Sequence, residues 1–585
     1  MKKRYEMLRP YLEAIPDILK YQLTTKALLI VVLFLLGRVF RILLNSAGRV
    51  AVTSSDFLFL FVSWQGLLIL LICLFTLFIY VAIELFTKII LSENHLTGKK
   101  LSLPAACQKA LAIIRKLFNI KGIGVILYIV LIAPIVGIGF SITLTSGFYI
   151  PTFITSVIVS TPLYLILMII AILIFAFLGI ANIFLLHGMV IDQLSVEEAT
   201  LNSRRLMKAN WKDYLKENIL FILVMSSVLA LVALIVLILP LLLTNILPLS
   251  ANLKRGLTVF FFLHGTILST LASLMATPMY TIKMTELYHS YSGDKNYSYK
   301  GHVHEIPTLD KIKVIAAIGL TVTLSIILTA YFDTIFPVSS DVRIIAHRAG
   351  GSEATENTLG GLESSIQKGV FGAEIDIQRS KDGYYIINHD SNFKRVANDS
   401  REPEEMTLAE IKKLSIDGEP VPTLTEMLQA SKGKLILFIE LKGKSADQQM
   451  ADDAVKIIRD LKMEDETVLI SLDYDLIDYI ESNYPQMHTG FLTFAAFGDT
   501  ALLNCDYLAL EEESATYDAI NAVHKQGKSV MIWTANRKGS QKHFLCSKAD
   551  AIITDNITQA LTIQQQLQYR NDLERMIDKV KEIIS

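Results

Sequence analysis

Charge is scarce in this chain of 585 residues: Asp, Glu, Lys and Arg make up 19%, and 55 basic residues against 56 acidic ones leave a net charge of −1. That balance gives no case for nucleic-acid binding or for a generally basic protein held to a membrane surface by charge. Cysteine is rarer still. Cys73, Cys107, Cys505 and Cys546 are too few and too scattered for a disulfide framework, and none has the C-x-x-C spacing of a zinc or redox site. All four read as packing residues. A leader-peptide cleavage site is also missing: Lys2, Lys3, Arg4 and Arg9 precede an apolar stretch, but no small-residue site follows and further apolar stretches come after it. The first helix is therefore expected to be retained.

What the chain has instead is hydrophobicity, 52% of all residues, bunched into long runs within the first 335 positions. Crossing about 30 Å of hydrocarbon takes about 20 apolar residues in a helix. Seven segments meet that length: 26–45, 57–84, 122–144, 161–187, 219–245, 257–280 and 314–336. Arg38 and Arg41 interrupt the first, and would have to reach the outer interface or face a polar interior. Basic residues cluster in alternate connections, such as Lys99, Lys100 and Lys109 in the second, Arg204, Arg205 and Lys208 in the fourth, and Lys295, Lys300 and Lys311 in the sixth. Retention of positive loops in the cytoplasm then places the amino terminus inside. With an odd number of spans, everything after residue 336 is expected outside. His187 and His264 are solitary, which favours packing roles and an anchoring bundle over a transport path.

Composition changes at Asp341. Short apolar runs at 343–346, 373–378, 435–440, 467–472, 487–493, 507–510, 529–533 and 551–553 alternate with helix-period stretches such as 447–461 and 515–526. Eight strands alternating with helices over about 245 residues is the size and order of a (β/α)8 barrel of the TIM type. The expected organisation is a multi-span membrane domain at 1–336 and a barrel at 341–585.

Chemistry in such barrels gathers at the carboxyl ends of the strands. There the sequence places His347 and Arg348 after strand one, Glu374 and Asp376 late in strand two, Glu440 and Lys442 after strand three, and Trp533 after strand seven. Residues two apart on a strand share a face, so three carboxylates converge and would repel one another without a cation. Hard oxygen donors suit Ca2+ or Mg2+ rather than zinc. Asp382-Gly383 marks a tight turn that returns His389-Asp390 towards the strand-two carboxylates. Two histidines beside a cation, an arginine and a lysine form a plausible acid/base pair acting on a phosphate.

Taken in order, Ala346-His347-Arg348, Glu356-Asn357-Thr358, Glu374-Ile375-Asp376, Asn388-His389-Asp390, Pro422-Thr423-Leu424 with Glu426, Glu440-Leu441-Lys442, Trp533-Thr534 and Thr554-Asp555 resemble the glycerophosphodiester phosphodiesterase family across essentially the whole barrel. The resemblance implies that His347 and His389 are the general acid and base and that Glu374, Asp376 and Glu440 hold a divalent cation. It implies that Arg348, Lys442, Glu356, Asn357 and Trp533 serve phosphate and substrate, and that the stretch from Phe393 to Glu419 is an insertion, usually a lid. Ala349 and Thr355 stand where the family has Gly and Pro, and Gly350 and Gly351 follow directly, where the loop can still turn. The membrane half, with Glu197-Glu198-Ala199 leading to Lys208, resembles the multi-span domain fused to bacterial members.

The implied reaction is metal-dependent hydrolysis of glycerophosphodiesters to glycerol 3-phosphate and an alcohol, by water or through a cyclic phosphate. Lysophospholipids and a glycerol-phosphate polymer of the envelope are alternative substrates, and a phosphodiester-binding sensor or transporter without turnover is the alternative of another class. The expected partners are the substrate and the bilayer; no feature points to a protein partner.

Overall fold

Long apolar helices build the first part of the chain and a closed sheet the second. The computed structural model describes residues 2–99, 101–119, 122–129, 152–293, 311–338 and 341–584. They divide into two units, Met1–Val39 with Leu68–Tyr331, and Phe40–Leu67 with Phe332–Ser585.

Among the described residues five helices are long and apolar enough to cross a membrane: Glu13–Ser46, Trp64–Thr97, Pro162–Val190, Val196–Thr244 and Ala251–Ser292. They take up the expected spans at 26–45, 161–187, 219–245 and 257–280, and most of that at 57–84. None of the most apolar window of Val196–Thr244 is buried, an arrangement suited to hydrocarbon as the surrounding solvent. Most of the expected span at 122–144 lies outside the described residues. That at 314–336 begins in the helix Lys311–Ala330, whose apolar part, Ile315–Ala330, is shorter than the other five.

The second span starts at Trp64 rather than at 57, because Ser63 is extended (φ −98°, ψ 149°) and separates a short turn, Phe59–Val62, from the helix that follows. The Ser63 hydroxyl accepts from the Gly66 amide at 2.9 Å, satisfying a free donor of the new helix. Hydropathy cannot see such a break, since 57–62 are as apolar as the span itself. Buried charges in this unit are paired: Lys88 Nζ lies 2.7 Å from Glu84 Oε1, and His289 Nε2 lies 2.6 Å from Glu93 Oε2.

Eight parallel strands close the barrel: Arg343–Ala346, Gly372–Arg379, Ile436–Leu441, Thr467–Ser471, His488–Thr493, Tyr507–Glu511, Ser529–Trp533 and Ala551–Thr554. Their ends fall within a residue of the expected ones. Closure is seen at the first strand, which pairs with the second at Ile345↔Gly372 and with the eighth at Ile344↔Ile552. Its interior is filled by Ile345, Phe438, Val468, Ile470, Leu492 and Met531, so the barrel is a packed core. Outward-facing residues such as Ile344, Ile375, Leu437 and Leu469 pack against the helices.

Local chemistry starts those helices where the pattern breaks. Thr358 accepts from the Gly361 amide at 3.0 Å, Asp447 from Met450 at 2.8 Å, and Thr423 with Glu426 forms a reciprocal cap. Residues 393–419 gather around their own small core of Phe393, Met406, Ile411 and Ile416.

One element of the barrel unit comes from far away in sequence. Strand Ala51–Thr53 pairs antiparallel with Ala496–Gly498, which follows the fifth barrel strand directly.

Candidate active site

Parallel strands present all their carboxyl ends at one mouth, and the site assembles there. Asp376 and Glu440 are register partners on adjacent strands, and Glu374 lies two residues before Asp376 on the same face. One carboxylate oxygen from each of the three falls within 4.8 Å of the others, and all three residues are buried. Glu374 Oε1 is buried without a hydrogen-bond partner among the described residues. A buried carboxylate oxygen left unsatisfied is costly, and a hard cation would satisfy it, so these residues fit a divalent ion held by oxygen.

The electrostatics carry the same message. Burial first, then the charge of Asp376, pushes Glu374 up to about 8. Burial likewise outweighs the pull of Lys442 and raises Glu440 to about 7. Asp376 is held well below the usual carboxylate range: burial opposes this, but Lys442, His389 and a hydrogen bond from Asn357 prevail. Lys442 Nζ sits 3.1 Å from both Asp376 and Glu440, and these charges overcome burial and raise it further above its ordinary value.

Both histidines have the same arrangement. His347 follows the first strand, and its Nδ1 lies 2.6 Å from Asp555 Oδ1, so Nδ1–H donates and Nε2 is the ring nitrogen left for other partners. That Nε2 is 3.9 Å from Glu374 Oε2, too long for a hydrogen bond. His389 is delivered by the hairpin expected at Asp382-Gly383. Ile377 pairs with Ile387 and Arg379 with Tyr385, while Gly383 takes φ +85° in the turn. Its Nδ1 lies 2.8 Å from Asp390 Oδ1. The Gln378 amide, donating to the carbonyls of Asn388 and Asp390 at 2.8 Å, fixes the returning strand.

Their pKa values shift in opposite directions. Burial would lower His347, but the Asp555 hydrogen bond and the charge of Glu374 win and raise it. At His389 burial, with Lys442 and Arg348 nearby, lowers the imidazole despite Asp376.

Arg348 donates its backbone N–H to Glu374 Oε2 at 2.8 Å and its guanidinium to Glu356 at 3.3 Å. Asn357 donates to Asp376 Oδ2 at 2.9 Å. Trp533 ends the seventh strand and donates its indole N–H to the Ala509 carbonyl at 3.0 Å. In the loop after His347, Arg348 (φ 50°) and Ala349 (φ 65°) are both left-handed, a conformation that favours glycine, so Ala349 holds the backbone form that a glycine would take.

Two contributors had no role assigned from sequence. Asp555, which the sequence only places after strand eight, orients His347 and is itself held by Asn536. Arg395, from the insertion, bridges Asp390 (2.7 Å) and Glu356 (2.9 Å); nothing in its surrounding sequence marks it. A cavity of about 620 Å³ at the opposite end of the barrel, lined by Asp341, Arg343, Phe371, Phe438, Arg570 and Arg575, contains none of these site residues.

Comparison with known proteins agrees in both halves. Residues 10–331 match the family described as the membrane domain of glycerophosphoryl diester phosphodiesterase, and residues 347–559 the glycerophosphoryl diester phosphodiesterase family. Similar proteins include a glycerophosphodiester phosphodiesterase of Caldanaerobacter subterraneus, 25% identical over 232 residues, covering 36% of this chain and 93% of that one. Another, from Bacillus altitudinis, is 22% identical over 242 residues, covering 38% of this chain and 99% of the relative. Among solved structures, an Oleispira antarctica phosphodiesterase in complex with the product sn-glycerol-3-phosphate is 23% identical with a TM-score of 0.36, over 38% of this chain and 96% of that one. The matches run in chain order through helices and barrel alike, and the chain belongs to the glycerophosphoryl diester phosphodiesterases, enzymes that hydrolyse glycerophosphodiesters, in the form that carries a membrane domain ahead of the catalytic barrel.

Proposed function

We propose that the barrel hydrolyses glycerophosphodiesters to glycerol 3-phosphate and an alcohol on the outer face of the cell membrane, with His389 as general base and His347 as general acid. The observation that carries this reading is the opposed environment of the two imidazoles around one carboxylate cluster. His389, whose pKa is lowered by burial, takes the proton of the attacking water at Nε2. His347, whose pKa Asp555 and Glu374 raise against burial, returns a proton to the departing alkoxide. Arg348 and Lys442 face the non-bridging phosphate oxygens, while Glu356 and Asn357 hold Arg348 and Asp376 in place. Glu374, Asp376 and Glu440 would hold a divalent cation, Ca2+ or Mg2+, which when bound offsets charge on the phosphate. The product seen with the Oleispira antarctica enzyme supports glycerol 3-phosphate as the retained half. The alternation of basic connections supports a multi-pass arrangement with the amino terminus in the cytoplasm.

The test is release of glycerol 3-phosphate from glycerophosphocholine by the full chain in detergent, with Ca2+, with Mg2+ and with EDTA, beside His347→Ala and His389→Ala. Cation-dependent release abolished by either substitution is expected. Binding of the diester without turnover under any cation would leave a phosphodiester-binding membrane protein in its place. Protease shaving of intact cells that removes the barrel would place it outside.

A further inference from the structure

We propose that Arg395 is a positioning residue for the reaction: its guanidinium, carried on the insertion, fixes Asp390 and Glu356 together and so sets His389 and Arg348, which stand on different elements, at one spacing across the site. This rests on the roles proposed above for those two residues.

Arg395 comes six residues after His389, in the short helix Lys394–Ala397 with which the insertion begins. The preceding Phe393 is fully buried in the insertion's own core, which anchors the backbone that carries the arginine. The side chain makes a fork on each of two carboxylates. Nε and Nη2 donate to Asp390 Oδ2 at 2.7 Å and Oδ1 at 3.2 Å. Nη1 and Nη2 donate to Glu356 Oε2 at 2.9 Å and Oε1 at 2.5 Å. Four charge-assisted hydrogen bonds from one planar group fix both the distance and the angle between the carboxylates. A lysine, a point charge on a flexible stem, cannot do this.

Each carboxylate passes that geometry on. Asp390 Oδ1 also accepts from His389 Nδ1 at 2.8 Å, and Glu356 Oε2 also accepts from Arg348 Nη1 at 3.3 Å. His389 arrives on the hairpin after the second strand and Arg348 on the loop after the first. The chain His389–Asp390–Arg395–Glu356–Arg348 therefore joins the proton-transfer side of the site to its phosphate side through side chains alone. Burial would raise both carboxyls, but Arg395 prevails, with His389 beside Asp390 and Arg348 beside Glu356, and both stay below their ordinary values. The Arg395 side chain is 49% exposed, and solvent screening limits what such pairs add to stability. Its consequence lies in the geometry of the site: the insertion assembles the site as well as covering it.

The far end of the insertion supplies the control. Glu419 accepts from the Gly360 amide at 2.8 Å and from the Thr358 hydroxyl at 3.2 Å, fastening the insertion to the same stretch, 356–360, through groups other than Asp390 and Glu356.

The experiment compares Arg395→Ala, Arg395→Lys and Glu419→Ala with the parent, as full chains in detergent hydrolysing glycerophosphocholine. Arg395→Ala is expected to lose about 10²-fold in kcat, with KM raised several-fold as Arg348 loosens, and Arg395→Lys to recover only part of the loss. Its melting temperature should stay within a few degrees of the parent's. Glu419→Ala should keep kcat within about threefold of the parent, since the fork remains. Added guanidinium ion at millimolar concentration should restore part of the Arg395→Ala activity without raising that of the parent. No loss in Arg395→Ala, or equal losses in Arg395→Ala and Glu419→Ala with no guanidinium rescue, overturns the proposal. Hydrogen exchange read by mass spectrometry is independent of turnover: Arg395→Ala should speed exchange in both 346–358 and 385–392, and Glu419→Ala should not affect 385–392. Exchange unchanged by Arg395→Ala in either segment also overturns it. A parent that hydrolyses no diester, yet shows that paired change in exchange, would instead sink the catalytic reading and leave the coupling through Arg395 standing.

Discussion

At Ala349 three small terms meet. Its left-handed backbone costs about 1–2 kcal/mol relative to glycine. Against that, the methyl group is fully buried, worth about 0.8 kcal/mol, and alanine restricts the unfolded chain by a further 0.4–1 kcal/mol or so. Restoring the family's glycine by Ala349→Gly is therefore expected to leave stability within about 1 kcal/mol of the parent, whereas Ala349→Val, β-branched at φ 65°, should lower the melting temperature sharply. Thermal unfolding of the purified full chain measures both. A large gain for glycine would mean that the buried methyl contributes less than its area suggests.

Asp555 is tested through pH. Its carboxylate raises His347, and if His347 acts in its charged form, activity falls as pH rises through that raised value. Asp555→Asn removes the negative charge while leaving an amide oxygen as acceptor, so the alkaline limb of kcat should move to lower pH and kcat should fall on the order of 10²-fold, with KM little changed. An alkaline limb that stays in place would assign it to another group.

Two neighbouring strands make the candidate cation site, and its behaviour belongs to the pair. The second strand contributes Glu374 and Asp376 and the third Glu440, and their proximity makes protons and cation compete. With Glu374 at about 8 and Glu440 at about 7 before a cation binds, uptake at pH 7 is expected to release about one proton, and affinity should strengthen as pH rises towards 8. Calorimetry in buffers of different ionisation enthalpy counts that proton. Glu440→Gln should abolish the rise in melting temperature given by the cation. Binding with no proton release would mean the cluster is already ionised.

Element by element, the barrel was legible because each strand is short, apolar and ended by a polar residue at the mouth, and because Asp382-Gly383 has a single economical geometry. What stayed hidden is of one kind. Asp555 and Arg395 act across 208 and 39 positions of sequence, and no local pattern encodes a partner at that distance. The second span was misplaced for the opposite reason: hydropathy runs on smoothly through Ser63, where the backbone does not.

For the whole molecule, the compact unit that holds the barrel takes in more than the residues after 341. The barrel unit takes in Phe40–Leu67 and Phe332–Ser585. At its mouth the strand Ala51–Thr53 covers Ala496–Gly498, and at its base the carboxyl-terminal helix Asp572–Ile584 clasps the chain entering from the last apolar helix. There Arg575, 5% exposed, donates to the Phe336 carbonyl at 2.7 Å, pairs with Asp333 at 2.7 Å and lies over Phe332. Arg570 reaches the carbonyls of Pro337 and Val338. Residues 341–585 cut free would leave the Arg575 guanidinium with Asp572 at 3.6 Å but without the Phe336 carbonyl and the Asp333 carboxylate, a destabilising loss for a buried charge. They would also expose an unpaired edge at Ala496–Gly498 with Phe497 on it, which invites association. The isolated fragment is therefore expected to melt well below the full chain and to self-associate, measured by thermal unfolding and sedimentation. A chain joining 40–67 to 332–585 through a flexible linker should recover most of the difference, because it restores both clasps without the remaining helices. If the linked chain is no more stable than the fragment, stability comes from the membrane unit instead.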